Sequence, residues 1–416
     1  DETALPGGAD AGGRKKGSNR EIIIVSYVCM AIFVALTGYF VFFLAKDKTE
    51  MLNNPYNKLQ GILEEYTVRG KILASGGEVL AVSKTDAKGN ETREYPYDNM
   101  FAHAVGYTGN GKTGIESEYN MYLLTSSINP VFKAIKELEG EKYAGDNVVT
   151  TLDVGLQKTA YNALGSYKGA VLAMDPDTGA VSVMVSKPDY DPNKIVSDWK
   201  NLTDNDSNSA LINRVTQGLY PPGSTFKILT VATAIELGIL NENSLIHDTG
   251  RVKIGSWEIK NYDYYRNPNP GMINLVYYFE HSSNVGSVKI AQMIPKQQYY
   301  NQLRRFGFGS KTGIDLPGES VGLLPKYTNW DASMHASMGY GYGASVTPIQ
   351  MVHAVSAIAN DGIAVTPHVI KYKDEELEEK VKYKEMVKPE TARALKRILT
   401  KSISHSKGPL NLPQYT

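Results

Sequence analysis

The chain has 416 residues, 42% apolar and 21% charged, the composition of ordinary globular protein. Its length exceeds one typical domain, so two or more folded units with connectors are predicted. Lysine plus arginine and aspartate plus glutamate both count 44, so net charge argues neither for nucleic acid nor for an acidic polymer as partner. The 27 tyrosines are plentiful, as in many domains that work outside the cytoplasm.

Residues 1–21 read as a short disordered tail, Gly/Ala-rich and then basic. From Ile22 to Ala45 there is no charged residue, and a stretch of about 20 apolar residues is enough to span a bilayer. Arg14, Lys15, Lys16 and Arg20 precede the span, whereas Lys46 and Lys48 follow it with Asp47 between them. The positive-inside rule then puts the N-terminus in the cytoplasm and the rest outside. The run is too long for a signal-peptide core and no small-x-small cleavage site follows it cleanly, so an uncleaved anchor at 22–45 is predicted. The single cysteine, Cys29, falls inside this span, so the exported part must be held by its core without a disulfide.

Residues 46–145 form a segment of short elements. Val68–Leu73 and Glu78–Ala81 flank a Ser75-Gly76-Gly77 turn and predict a hairpin. A turn-rich patch follows from Gly106 to Glu116, and the segment reads as a pedestal that sets height above the membrane. From 146 onward the pattern changes. Asp146–Asp153 predicts a strand, Val154–Leu164 a helix, and Gly169–Asp175 with Ala180–Ser186 a hairpin about Pro176–Gly179. Helices are predicted to dominate after Ser224.

Candidate chemistry sits at Tyr220–Lys227, Tyr-Pro-Pro-Gly-Ser-Thr-Phe-Lys, which runs into an apolar stretch closed by Gly238. Two prolines force an extended approach, so a helix begins only after them. A spacing of three places Ser224 and Lys227 on one helix face. A lysine in an apolar helix near the positive end of its dipole has a depressed pKa and can take the proton of a serine nucleophile. Ser-x-x-Lys also occurs at Ser197/Lys200 and Ser404/Lys407, where neither proline turn nor apolar helix surrounds it, and a capping serine with a solvated lysine is the better reading. Downstream, Ser282-Ser283-Asn284 places a hydroxyl at Ser282 and an amide at Asn284 at the start of another apolar stretch. The hydroxyl can relay a proton and the amide can hold a substrate carbonyl. A second Ser-x-Asn, Ser127-Ile128-Asn129, reads as a turn before Pro130.

In this order the motifs resemble the penicillin-binding proteins, specifically the monofunctional class B transpeptidases. The resemblance extends to Asn53–Asn57, Arg69–Ile72, Gly77–Ala81 and Gly111–Glu116, and onward to Thr150–Asp153, Asn213-Arg214, Phe306–Gly309, Thr312–Glu319 and Gly339–Pro348. It implies a single transmembrane helix plus an α+β exported part: a small pedestal domain (46–145) and a transpeptidase domain (146–416) with a helical subdomain and part of an antiparallel sheet. It also implies Ser224 as nucleophile on the D-Ala-D-Ala carbonyl of a peptidoglycan stem, Lys227 as general base, Ser282 in proton relay and Asn284 in substrate positioning. The Ser224 N–H would form half of an oxyanion hole. Stem peptides, β-lactams, the cytoplasmic membrane and a membrane glycosyltransferase are the implied partners. Neither metal nor organic cofactor nor nucleic acid is implied.

The family's third motif, Lys-Thr/Ser-Gly on a late strand, is not in its place. Lys112-Thr113-Gly114 precedes the nucleophile, and Lys311-Thr312-Gly313 lies between two glycine-rich turns. After a helix predicted over Pro389–Ile403 the text runs to Thr416, so by comparison three strands and a closing helix are missing and the sequence reads as C-terminally incomplete. An apolar face of the Gly169–Ser186 hairpin is then expected to stay unburied. The alternatives are an inactive fragment or pseudoenzyme scaffold of a wall-synthesis complex, and a hydrolytic D,D-carboxypeptidase.

Overall fold

A computed structural model describes residues 19–53, 58–86, 91–128, 136, 140–204 and 209–405. The tail at 1–18 and the segment 406–416, with Lys407, lie outside the described residues, as does Asn129 of the second Ser-x-Asn. By its contacts the chain divides into two units, Asp1–Lys58 and Leu59–Thr416.

The first unit carries the helix Asn19–Asn53. Within it, the 24 residues Arg20–Phe43 are long and apolar enough to cross a membrane, and no residue of their most apolar stretch is buried against protein. The span's serine and threonine hydroxyls are satisfied locally: Ser26 Oγ donates to Ile22 O and Thr37 Oγ1 to Phe33 O, both at 2.8 Å. That is what a helix in hydrocarbon requires, where no water can take the bond.

The second unit begins with short strands. Ile72–Leu73 pairs antiparallel with Val79–Thr85 about the Ser75–Gly77 turn, as the sequence predicts. Two expectations need correction here. Thr67–Val68 does not enter that hairpin but pairs in parallel with Tyr143–Ala144. The strand expected over Asp146–Asp153 is only Val148–Val149, parallel to Ile72–Leu73. Its flanks leave the ladder because Thr150 bridges Ile370 and Asp153 caps the next helix, accepting from Leu156 N at 2.8 Å. The resulting sheet runs Glu91–Glu94, Val79–Thr85, Ile72–Leu73, Val148–Val149. Beneath it Glu116, fully buried, bridges Arg69 and Arg93 at 2.6 and 2.7 Å. Burial alone would raise the Glu116 pKa, but the two guanidinium charges and their hydrogen bonds outweigh it and hold the carboxylate below its usual range.

The helix Val154–Leu164 has the predicted bounds. The hairpin forms from Gly169–Met174 and Val181–Lys187, antiparallel. Its second strand is largely buried while every residue of the first stays half-exposed, and among the described residues this sheet has two strands.

Beyond Ser224 the chain is helical but not purely so. Leu245–Asp248 pairs with Gly271–Asn274, Arg251–Ile254 with Trp257–Lys260 and Ile363–Val365 with Tyr383–Glu385, three antiparallel pairs that the helix-dominated expectation omits. Each strand covers only three or four positions, too short a run to betray a strand. The two larger hydrophobic cores position the site. One gathers Phe226, Leu229, Val231, Tyr278, Ile290, Tyr299 and Leu395 around the helix Lys227–Glu236. The other gathers Ile72, Leu80, Val148, Val181 and Val369 under the first sheet and the hairpin. The helix Pro348–Ala359, started by a Thr347/Gln350 capping box, supplies Ile349 to the second core and Ala354, Ala357 and Ile358 to the first. The final described helix is Pro389–His405, two residues longer than predicted.

Candidate active site

Pro221 and Pro222 deliver the chain to Gly223, whose φ of +57° is the left-handed region that glycine tolerates best. The first turn, Gly223–Phe226, is a 3₁₀ helix, and the α-helix proper starts at Lys227. This differs from the expectation of a helix from Ser224, and the reason lies in neighbouring backbone. Gly223 N donates to Gly341 O at 3.1 Å, and Tyr220 and Val346 exchange two backbone hydrogen bonds of 2.9 Å. The approach is thus clamped against the Gly341–Val346 segment, and a Cβ on Gly341 would lie 2.2 Å from Gly223 O. Farther along the helix, Thr230 Oγ1 donates to Gly339 O at 3.0 Å and meets the Tyr299 hydroxyl at 2.7 Å.

Ser224 is left exposed at the surface of this clamp. Lys227 is buried, 1% exposed. Its Nζ donates to Ser282 O at 2.6 Å, Asn284 Oδ1 at 2.8 Å and Ser282 Oγ at 3.0 Å. The fold therefore joins three of the four candidate residues through one nitrogen. Ser224 stands three residues before it on the adjoining turn, and among the described residues no hydrogen bond reaches Ser224 Oγ. Burial is the cause of the lowered Lys227 pKa, about 8 against an ordinary 10.5, with the Asp248 carboxylate opposing it. The apolar surroundings expected from the sequence act through loss of water around the ammonium.

The Ser282–Asn284 segment is held with equal care. Ser282 adopts φ +49°, a left-handed conformation unfavourable for a residue with a side chain, at the junction between the helices Leu275–Glu280 and Asn284–Met293. Ser283 caps the second helix: its Oγ accepts from Gly286 N at 2.8 Å and donates to Asp248 Oδ2 at 2.6 Å. Asp248 is fully buried and also accepts from Gly250 N and Asn261 Nδ2, at 2.7 and 2.8 Å. Asn261 Oδ1 takes the Val285 N–H at 3.0 Å, and Asn284 Nδ2 donates to Lys260 O at 3.0 Å. Asp248, Asn261 and Ser283 are positioning residues that sequence reasoning missed. Only Ser283, inside the motif, carried a local signal.

The other motif matches fall away from this cluster. Ser197 Oγ donates to Lys194 O at 2.9 Å within the helix Ile195–Thr203, and Lys200 is solvated. Ser127 Oγ donates to Asp146 Oδ1 at 2.9 Å in an exposed turn. Lys311-Thr312-Gly313 is not on a strand: Glu319 accepts from Thr312 N, Thr312 Oγ1 and Gly313 N at 2.7, 2.6 and 3.2 Å and folds the segment into a closed turn. Lys112-Thr113-Gly114 runs into the short helix Gly114–Glu118.

The fold thus sets a proline-clamped serine, a buried lysine and a Ser-x-Asn turn on one helical core. Residues 169–413 match the penicillin-binding protein transpeptidase domain, and residues 69–148 the penicillin-binding protein A dimerisation domain. The chain belongs to the penicillin-binding protein transpeptidase family. It is 32% identical over 321 residues to the peptidoglycan D,D-transpeptidase MrdA of Acinetobacter baumannii, covering 67% of this chain and 48% of that protein. MrdA of Escherichia coli K12 is 30% identical over 332 residues, covering 68% and 52%. The chain thus spans about half the length of these curated relatives. Among solved structures, the D,D-transpeptidase domain of an Eggerthella lenta peptidoglycan glycosyltransferase superposes with TM-score 0.71 at 27% identity over 82% of both chains. Penicillin-binding protein A of Mycobacterium tuberculosis, as its imipenem acyl-enzyme complex, gives TM-score 0.71 at 25% identity over 82% of this chain and 83% of that one.

Proposed function

We propose that this chain is a membrane-anchored peptidoglycan D,D-transpeptidase that works through an acyl-enzyme on Ser224. The observation that carries the reading is the environment of Lys227 Nζ, a buried amine with Ser282 and Asn284 around it and Ser224 on the preceding turn. As an ammonium, Nζ gives all three protons to the three acceptors. Loss of one proton leaves a lone pair on a largely buried nitrogen, which makes the amine a competent base.

In this mechanism Lys227 takes the Ser224 proton as Oγ bonds to the carbonyl carbon of the penultimate D-Ala. The oxyanion rests on the Ser224 N–H. Collapse breaks the peptide C–N bond, and the leaving amine receives a proton through Ser282, whose hydroxyl lies 3.0 Å from Nζ. Asn284 holds the substrate amide with its side chain oriented by Lys260 O. An amine from a neighbouring stem then attacks the ester, returns Ser224 as a hydroxyl and leaves the crosslink. A β-lactam enters the same first step, its C–N bond held in the ring, and remains as the acyl group. The acyl-enzyme complexes of a relative at 25% identity support this step.

The same reading places the N-terminus in the cytoplasm, on the charge asymmetry about the Arg20–Phe43 span, with a pedestal over 46–145 and the acyltransferase domain from 146. A membrane glycosyltransferase is the natural partner, since crosslinking consumes newly made glycan. The test is covalent labelling of the full chain with a fluorescent penicillin. Wild type is expected to label and Ser224→Ala to stay dark while melting at the same temperature. Label retained in Ser224→Ala sinks the nucleophile assignment.

A further inference from the structure

On one side the catalytic cluster is continuous with a surface that acyl transfer does not use. Asn284 Nδ2 donates to Lys260 O, and from Lys260 the chain runs through Asn261, Tyr262, Asp263, Tyr264, Tyr265 and Arg266. Tyr262 and Tyr265 are 84% and 87% exposed. A single exposed ring is ordinary, but a cluster beside a substrate site is not. The Tyr264 and Tyr265 rings stand edge to face with centroids 5.4 Å apart. Lys260 Nζ lies 5.2 Å from the first centroid and 5.8 Å from the second. Arg251, opposite Lys260 in the hairpin register, lies 5.8 Å over the Tyr264 ring. Glu258 pairs with both cations, at 3.4 and 3.1 Å.

This loop is built, not loose. Asn261 is buried and tied to Asp248 and Val285; Asp263 Oδ2 is 3.5 Å from His281 Nδ1; Asn267 Nδ2 donates to the Tyr277 hydroxyl at 2.7 Å. The backbone is thus pinned at both ends to the elements that carry Ser282 and Asn284, while two rings stand in water. Fixing the backbone beneath those rings in advance lowers the entropy lost when something stacks on them.

The chemistry of the surface selects its occupant. Tyrosine offers a flat apolar face with a hydroxyl at its edge, a rigid amphipathic contact. That pairing suits a pyranose, which presents axial C–H bonds on its faces and hydroxyl or acetamido groups around its rim. Arg251, Lys253, Lys260 and Arg266 outnumber Glu258 and Asp263, so the surface is cationic and suits a polymer whose side chains end in carboxylates. We propose that the Tyr262–Arg266 loop with Lys260 and Arg251 is a docking platform for the amino-sugar strand of peptidoglycan, holding the polymer while its stem peptide enters at Ser224. This rests on the transpeptidase reading and adds a second contact, to sugar instead of peptide.

The experiment uses the full chain in detergent micelles: wild type, the double variant Tyr262→Ala/Tyr265→Ala, and the double variant Tyr262→Phe/Tyr265→Phe. The probes are glycan strands stripped of stem peptides by an amidase, and free stem peptide. Peptide-free strands are expected to bind wild type, to lose at least about tenfold in affinity with the alanine pair, and to bind the phenylalanine pair within about threefold. Stem-peptide binding and melting temperature stay unchanged in all three. Strands that ignore wild type, or bind the alanine pair as well as wild type, overturn the platform. So does an alanine pair that alters only self-association in sedimentation, which assigns the rings to a second copy of the chain, or only vesicle binding, which assigns them to lipid. Penicillin labelling of wild type is read in parallel: its absence counts against the Ser224 acyl-enzyme, whereas strand affinity tests the platform separately.

Discussion

The pH dependence of acylation is where the geometry makes its most exposed claim. Burial lowers the Lys227 pKa from 10.5 to about 8. At neutral pH a group of that pKa is about one-tenth free amine, against about one part in three thousand for an unperturbed lysine. The fold therefore supplies about 300-fold more base, less whatever the weaker basicity takes back in proton affinity. The second-order rate of acylation by a fluorescent penicillin, followed by stopped flow, is expected to rise about tenfold per pH unit and to level near about pH 8. Lys227→Ala should lower the rate by about a thousandfold or more and abolish that limb. A rate that climbs to about pH 10 and beyond, or a limb that survives in Lys227→Ala, refutes the assignment of the base. Stability carries the same signature with a definite sign. Between the folded pKa of about 8 and the unfolded 10.5, only the unfolded chain retains the proton, so stability rises with pH across that window and lies lower below it. The comparison of wild type with Lys227→Met isolates this term from the tyrosines that titrate nearby.

Three further outcomes follow from particular contacts. Ser282→Gly relieves a φ of +49° and removes a hydroxyl from Nζ, so denaturant melts should show a gain of about 0.5–1 kcal/mol while acylation falls by about a hundredfold. Equal stability with undiminished acylation would remove Ser282 from the relay. Gly341→Ala sets a Cβ 2.2 Å from Gly223 O at a glycine of φ +82°; a loss of more than about 2 kcal/mol with weak penicillin labelling is expected, and a full-rate variant would show that the clamp on the serine loop is dispensable. Glu116→Gln leaves Arg69 and Arg93 without their carboxylate and should destabilise by about 3–5 kcal/mol. Because the Glu116 pKa is held below its ordinary 4.5, its contribution is complete above that value and is lost as the pH falls below it. A wild-type acid melt that Glu116→Gln leaves unshifted would falsify the ion-pair account.

The site was legible in proportion to how local its chemistry is. Ser224 and Lys227 sit three residues apart after two prolines, so chain stiffness and helical spacing alone mark them as a pair of candidates. The Val154–Leu164 helix and the Gly169–Lys187 hairpin followed from period and turn residues for the same reason. The apolar span was visible because its length is set by the bilayer and not by any partner.

The tertiary structure decided what no local rule reaches. Asp248 lies 21 residues past Lys227, in a strand too short to recognise, yet it anchors Ser283 and Asn261 and so aims Asn284. The 3₁₀ turn at Ser224 starts from Gly223, which is packed against the backbone of Gly341, more than a hundred residues away. The left-handed Ser282 has no sequence signal, since only surrounding packing can hold a side-chain-bearing residue there. By itself, the sequence determined the apolar span, the order of the motifs and the candidacy of Ser224 as nucleophile, because each depends on neighbours along the chain. Tertiary structure alone set the depth at which Lys227 is buried, and with it the pKa, because desolvation is a property of everything packed around the nitrogen.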